Sequence, residues 1–140
     1  MEIHAALHRD KCSNGSAFNI ADGQAVTWEQ VWPGICSYFG LVGVPPRQHD
    51  TQDKTMEDFV NENSQAWDRL ADKHHLQKGL VEHQNWGHTQ FMLVDFDFDR
   101  EYSLDQARSV GFPESIDTVQ GYKIVFDRMV KAKLIPSAQS

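Results

Sequence analysis

Residues 17–40, AFNIADGQAVTWEQVWPGICSYFG, carry three local structures in succession. Phe18-Asn19-Ile20 alternates apolar and polar and predicts a short strand, closed by the strong turn pair Asp22-Gly23. Thr27 to Gln30 has the form of a capping box, in which the Thr27 hydroxyl accepts a backbone N–H three residues on and Gln30 reaches back. The helix it opens should run from Trp28 to about Phe39, with Val31, Trp32, Ile35 and Phe39 on one face and Gly40 just past its end. Pro33 lies beyond the first turn, where its missing N–H predicts a kink or a 3₁₀ start.

Working outward, Ile3 to His8 reads as the last turns of a helix without a start signal, the end a truncation of a longer ancestor would leave. A polar turn, Asn14-Gly15-Ser16, joins it to the strand. Leu41 to Lys54 is a linker marked by Gly43 and Pro45-Pro46. Thr55 caps a helix whose apolar positions Met56, Phe59, Val60, Trp67 and Leu70 follow helical spacing. Lys73 to Glu82 is a break containing a short apolar piece, Leu76 to Val81. Trp86 to Val94 fits helix or strand. Phe96-Asp97-Phe98-Asp99 alternates with period two and predicts a strand. Ser103 to Gln106 forms a second capping box, opening a helix to Val110 that Gly111 ends. Asp117 or Thr118 caps the final helix, with Val119, Tyr122, Phe126, Met129 and Val130 inward and Pro136 beyond its end.

At 140 residues the chain reads as one domain, 1–140. Its net charge of −7, with scattered basic residues and no basic stripe, argues against nucleic acid and anionic membranes as partners. Two cysteines, Cys12 and Cys36, suggest a reduced interior, and no apolar run approaches the roughly 18 residues of a membrane span. The N-terminus shows no apolar core of signal-peptide length. A cytoplasmic location is the expectation.

Four blocks resemble, in register, one family. They are residues 17–40, WDRLADKHHL (67–76), FDFDREYSLDQARSVGF (96–112) and IDTVQGYKIVFDRMVKAKLIP (116–136). Together they look like the C-terminal substrate domain of extended and atypical short-chain dehydrogenases/reductases. The likeness is to a fungal NAD-dependent epimerase-like group related to plant progesterone 5β-reductase and iridoid synthase. The resemblance implies a helix over Trp86 to Val94 and pocket-lining residues on the Trp67 helix and the Trp86 to Asp95 segment. The expected fold is α+β, a mainly helical domain with a small two- or three-stranded sheet from Phe18–Ile20 and Phe96–Asp99. In the family the dinucleotide-binding domain and catalytic tyrosine precede these blocks; the resemblance thus implies a substrate domain without its redox half. Gly40-Leu41-Val42-Gly43 lacks a third glycine and follows a helix rather than a strand. Tyr38, Tyr102 and Tyr122 are followed four residues on by Val42, Gln106 and Phe126, so no Tyr-x-x-x-Lys exists. No cofactor is expected, and hydride transfer does not carry over.

Seven histidines invite a metal reading, yet His74, His75, His83 and His88 show no ligand-like spacing, and no metal is expected. Asp95, Asp97 and Asp99 are either the solvated face of an edge strand or, for Asp95, an acid/base group at a pocket rim. Against Trp86 and Phe91 its carboxyl would be desolvated into the range useful near neutrality. Of Trp28, Trp32, Trp67 and Trp86, two should be core; Trp86, between Asn85 and Gly87-His88, is the expected ligand wall. Cys36 reads as a buried, inert thiol.

Two kinds of function follow. The first is a cofactor-independent enzyme of fungal-type small-molecule metabolism, folding an apolar substrate for isomerisation, cyclisation or elimination. Its proton carriers would be His88, Asp95 and His83, and its walls Trp86, Phe91, Met92 and Trp67. The second is a non-catalytic small-molecule-binding or partner-docking module, or a relic C-terminal half of a reductase. Both predict a homodimer covering an apolar face. A reductase that borrows a nucleotide-binding partner in trans is the third.

Overall fold

Capping chemistry places the helices. In the computed structural model, which describes residues 1–12, 15–44, 54–96, 98–99 and 101–138, seven helices follow one another. They are α1 (Glu2–Leu7), α2 (Trp28–Tyr38), α3 (Met56–Glu62), α4 (Ser64–His74), α5 (Trp86–Gln90), α6 (Asp105–Ser109) and α7 (Thr118–Lys131), with a π-helical turn, Phe91–Asp95, continuing α5. The Thr27–Gln30 box closes as read: Gln30 N–H donates to Thr27 Oγ1 and Thr27 N–H to Gln30 Oε1 at 2.8 Å. Thr55 and Asp58 form the same box on α3, and Asp117 Oδ1 accepts from Gln120 N–H at 2.9 Å on α7. Gly40, with φ +69°, takes the left-handed position after α2.

The expected sheet is not there. Among the described residues none is in a strand, so the α+β assignment is corrected to a mainly helical fold; Asp97, like Asn14 and Pro45-Pro46, lies outside the described residues. An alternating pattern three or four residues long makes a one-sided surface, but a strand also needs a partner's backbone ladder. Residues 18–20 find other partners. Asn19 Nδ2 donates to Ser103 O at 3.2 Å, and Ile116 N–H donates to Asp22 O at 2.9 Å. Gly23 lies so close to Ser115 that an added Cβ would come within 2.8 Å of its side chain. Arg108 stiffens the opposite wall, donating from Nη1 to Phe112 O and Glu114 O at 2.6 and 2.8 Å.

Three local readings also change. The apolar run from Met56 to Leu70 is two helices, because Asn63 Nδ2 takes the Phe59 carbonyl at 2.7 Å and its backbone leaves the helical region. Ser103 makes no capping box; its Oγ accepts from Asp105 N–H, two residues on, and Leu104 is the N-cap. α2 runs through Pro33 as α-helix, with Pro33 and Glu29 on its exposed side, where water can take the freed carbonyl.

α2 packs on α7. Gly34 lets Val119 into this contact, where an added Cβ would meet Val119 Cγ1 at 2.5 Å, while Trp32 stays exposed. Around Phe126 the rings of Tyr38, Phe39 and Tyr122 gather at 5.2, 5.1 and 5.8 Å, and Tyr38 donates its hydroxyl to Asp127 at 2.8 Å. Elsewhere the core is thin. The buried apolar residues are Cys12, Val31, Cys36, Ala71, Leu76 and Ala107, and none of the four tryptophans is among them, contrary to the expectation of two. Accessible surface totals 11164 Å², against roughly 7400 Å² for a compact monomer of this mass. Among the described residues, large apolar side chains such as Ile3, Leu7, Val42, Phe59 and Phe98 are left uncovered by the chain itself.

Candidate functional site

The segment Gln84 to Asp95 is built in two steps. Asn85 starts α5, its Oδ1 accepting from His88 N–H at 2.9 Å, while Trp86 Nε1 donates to Val81 O at 3.0 Å and pins the indole to the preceding turn. The Trp86 N–H is thereby used inside the protein. The helix then widens into the π turn, a form that recurs at functional sites. Phe91 is half exposed and meets Phe96 edge-on at 5.2 Å, and Phe96 meets Phe98 at 3.8 Å. The period-two pattern thus does gather the phenylalanines, without a sheet.

The named polar residues sit around this wall. Asp95 is exposed, its Oδ1 accepting from Gln90 Nε2 at 3.2 Å. His88 is exposed on α5 and His83 on the turn before it, and neither imidazole hydrogen-bonds a described residue. Met92 is half-buried. Trp67 lies apart on α4; its Nε1 is buried and finds no hydrogen-bond partner among the described residues. α3 packs against both α4 and α5, while α4 and α5 do not pack on each other. Trp67 therefore reaches the site only through α3. Sequence reading overlooked Gln90, whose Oε1 also accepts from Met56 N–H at 3.1 Å. Its only sequence signal is one amide immediately before the apolar run Phe91 to Val94.

Among the described residues no group of three or more His, Cys, Asp and Glu is placed to hold a metal ion, and no helix is long and apolar enough to cross a membrane. A separate open trough of about 840 Å³ lies between α1 and residues 15–20, lined in part by Ala5, Arg9, Cys12 and Phe18, and shares no residue with the α5–π segment.

The PRISE-like Rossmann-fold domain family matches residues 1–136. The chain is 36% identical over 147 residues to the short chain dehydrogenase sirR of Leptosphaeria maculans, covering 98% of this chain and 36% of that protein. It is 31% identical over 136 residues to the short chain dehydrogenase ausT of Aspergillus calidoustus, covering 96% of this chain and 33% of that one. A more distant relative, the (S)-8-oxocitronellyl enol synthase of Antirrhinum majus, is 23% identical over 127 residues, covering 89% of this chain and 31% of its own length. The chain thus spans about a third of these relatives.

The Gly40–Gly43 stretch does not fit a dinucleotide's pyrophosphate. It follows the C-terminal end of α2, whose carbonyls repel a pyrophosphate where a helix N-terminus would attract one. Gly43 turns its bare Cα toward α2, where a Cβ would meet Trp32, Cys36 and Pro33 at 3.1 to 3.3 Å, and so gives no cradle for a phosphate. The four blocks in register and the match over nearly the full length lead to one conclusion: this chain belongs to the PRISE-like Rossmann-fold domain family, a relative of fungal short-chain dehydrogenases.

Proposed function

We propose that this chain is a substrate-handling domain of fungal-type small-molecule metabolism whose own residues direct an isomerisation, cyclisation or elimination of an apolar substrate. The observation that carries this reading is the partly exposed aromatic cluster of Phe91, Phe96 and Phe98 in the same short segment as the exposed Asp95, whose carboxylate is held by Gln90. An aromatic wall with one or two polar groups suits a small apolar ligand. In an isomerisation one C–H bond breaks and another forms, with no net gain or loss of electrons, so no hydride donor is required. Asp95 takes the proton from carbon, His88 or His83 returns one, and Trp86, Phe91 and Met92 hold the substrate in the reactive geometry. A relative named an enol synthase supports chemistry through an enol.

Alanine at Asp95 or His88 tests the assignment. Each variant should keep the parent's circular dichroism and lose turnover about 100-fold or more. If both convert the substrate at the parent rate, these residues are not the proton carriers.

The uncovered surface favours a second reading: a docking module, or the substrate portion of a longer reductase, in which a second copy or a nucleotide-binding partner covers the apolar face. Exposed Ile3, Leu7 and Ile20 beside the α1 trough would be part of that face. Sedimentation analysis separates the two occupants. A homodimer makes a second copy the occupant, and a monomer that binds a dinucleotide-loaded partner points to the longer reductase.

A further inference from the structure

The geometry points to Gln90 as the positioning residue that fixes Asp95 and locks the π turn to α3. This inference rests on the reading of Asp95 as a proton carrier for its catalytic consequence, though not for its structural content.

The Gln90 amide has one permitted orientation. Met56 N–H, at the start of α3, can only donate, so the Gln90 atom facing it at 3.1 Å must be Oε1. That leaves Nε2 as the donor aimed at Asp95 Oδ1, 3.2 Å away. A carboxylate accepts this bond through one oxygen and leaves the other, Oδ2, for substrate. The π turn makes the pairing possible. In an α-helix residue i+5 lies roughly 140° around the axis from residue i, which would carry Asp95 away from Gln90. The wider π turn, with its i→i+5 spacing, brings it back. One half-buried side chain thus ties α3, which packs against the Trp67 helix, to the segment bearing Phe91, Met92 and Asp95.

The test uses the full chain, isotopically labelled, with two substitutions. Gln90→Met keeps the length and removes both bonds. Gln90→Glu keeps an acceptor for Met56 and removes the donor to Asp95. In Gln90→Met the Met56 amide should exchange with solvent about tenfold faster, and the Asp95 side-chain couplings should average. In Gln90→Glu the Met56 amide should stay protected while the Asp95 couplings still average. If Gln90→Met does not fold, Gln90→Glu alone decides through Asp95. Unchanged Asp95 couplings in the folded variants overturn the inference. With a substrate in hand, Gln90→Glu should lower kcat and leave KM unchanged. Averaged Asp95 couplings together with parental turnover in Asp95→Ala would uphold the positioning and sink the catalytic assignment, so the two failures are told apart.

Discussion

The α2–α7 pair and the α3–α5–π arm use similar aromatic residues to opposite ends. In the pair, Phe126 is ringed by Tyr38, Phe39 and Tyr122, and Gly34 admits Val119. In the arm, Phe59, Phe91, Leu93, Val94 and Phe98 stand exposed, and an indole N–H on α4 is buried without a partner among the described residues. The first arrangement turns its central rings on one another, while Trp28, Trp32 and Val125 at its edges stay exposed. The second leaves its apolar surface to solvent, and that contrast is the basis for proposing the arm as the site.

The largest effect expected comes from truncating the two clusters. Phe126→Ala should destabilise the domain by about 3 kcal/mol in denaturant unfolding, and Phe91→Ala by less than about 1 kcal/mol, since the Phe91 side chain is already half in water. Equal losses would make the arm a packed core and end the comparison. Next comes Gly34→Val. It drives a branched side chain into Val119 and should cost about 1–3 kcal/mol, seen as a lower midpoint without a change in the arm's spectra.

The smallest effect is in pH. The Tyr38 phenol is held above its ordinary 10.0, first because it donates to Asp127, then through partial burial and the adjacent negative charge. Its contribution to the pair is therefore complete below pH 10 and is lost as pH rises through the raised value. A Tyr38→Phe variant should show no such loss when melting is followed between pH 9 and roughly 12. Matching alkaline curves for the two proteins would remove Tyr38–Asp127 from the account.

What was legible in the sequence was local. Thr27, Thr55, Asp117, Gly40 and Gly111 mark helix ends because capping and left-handed positions depend on a few adjacent atoms. What was not legible depended on partners distant in sequence. Phe18–Ile20 and Phe96–Asp99 have strand patterns, but pairing is decided by who lies alongside, and Asn19 goes to Ser103 instead. The expected face of α2 holds at Val31, which is buried, and at Phe39, which meets Phe126, but not at exposed Trp32; Gly34, with no side chain to score as apolar, was overlooked as a point of close approach to α7. In the site, Phe91 reads as a wall residue, while Phe96 and Phe98, which cluster with it, read as one face of a strand. The Gln90 link was not legible, because it depends on a π turn that no residue pattern announces.

The central claim is that these residues act on a small molecule without a dinucleotide. The most direct measurement adds purified chain to the precursor that accumulates in a host lacking the gene, with and without NAD(P)H, and follows product by chiral chromatography. The account predicts conversion without NAD(P)H, at a rate the dinucleotide does not change. Conversion that strictly requires NAD(P)H and a second protein would contradict it, and would make this chain the substrate portion of a reductase.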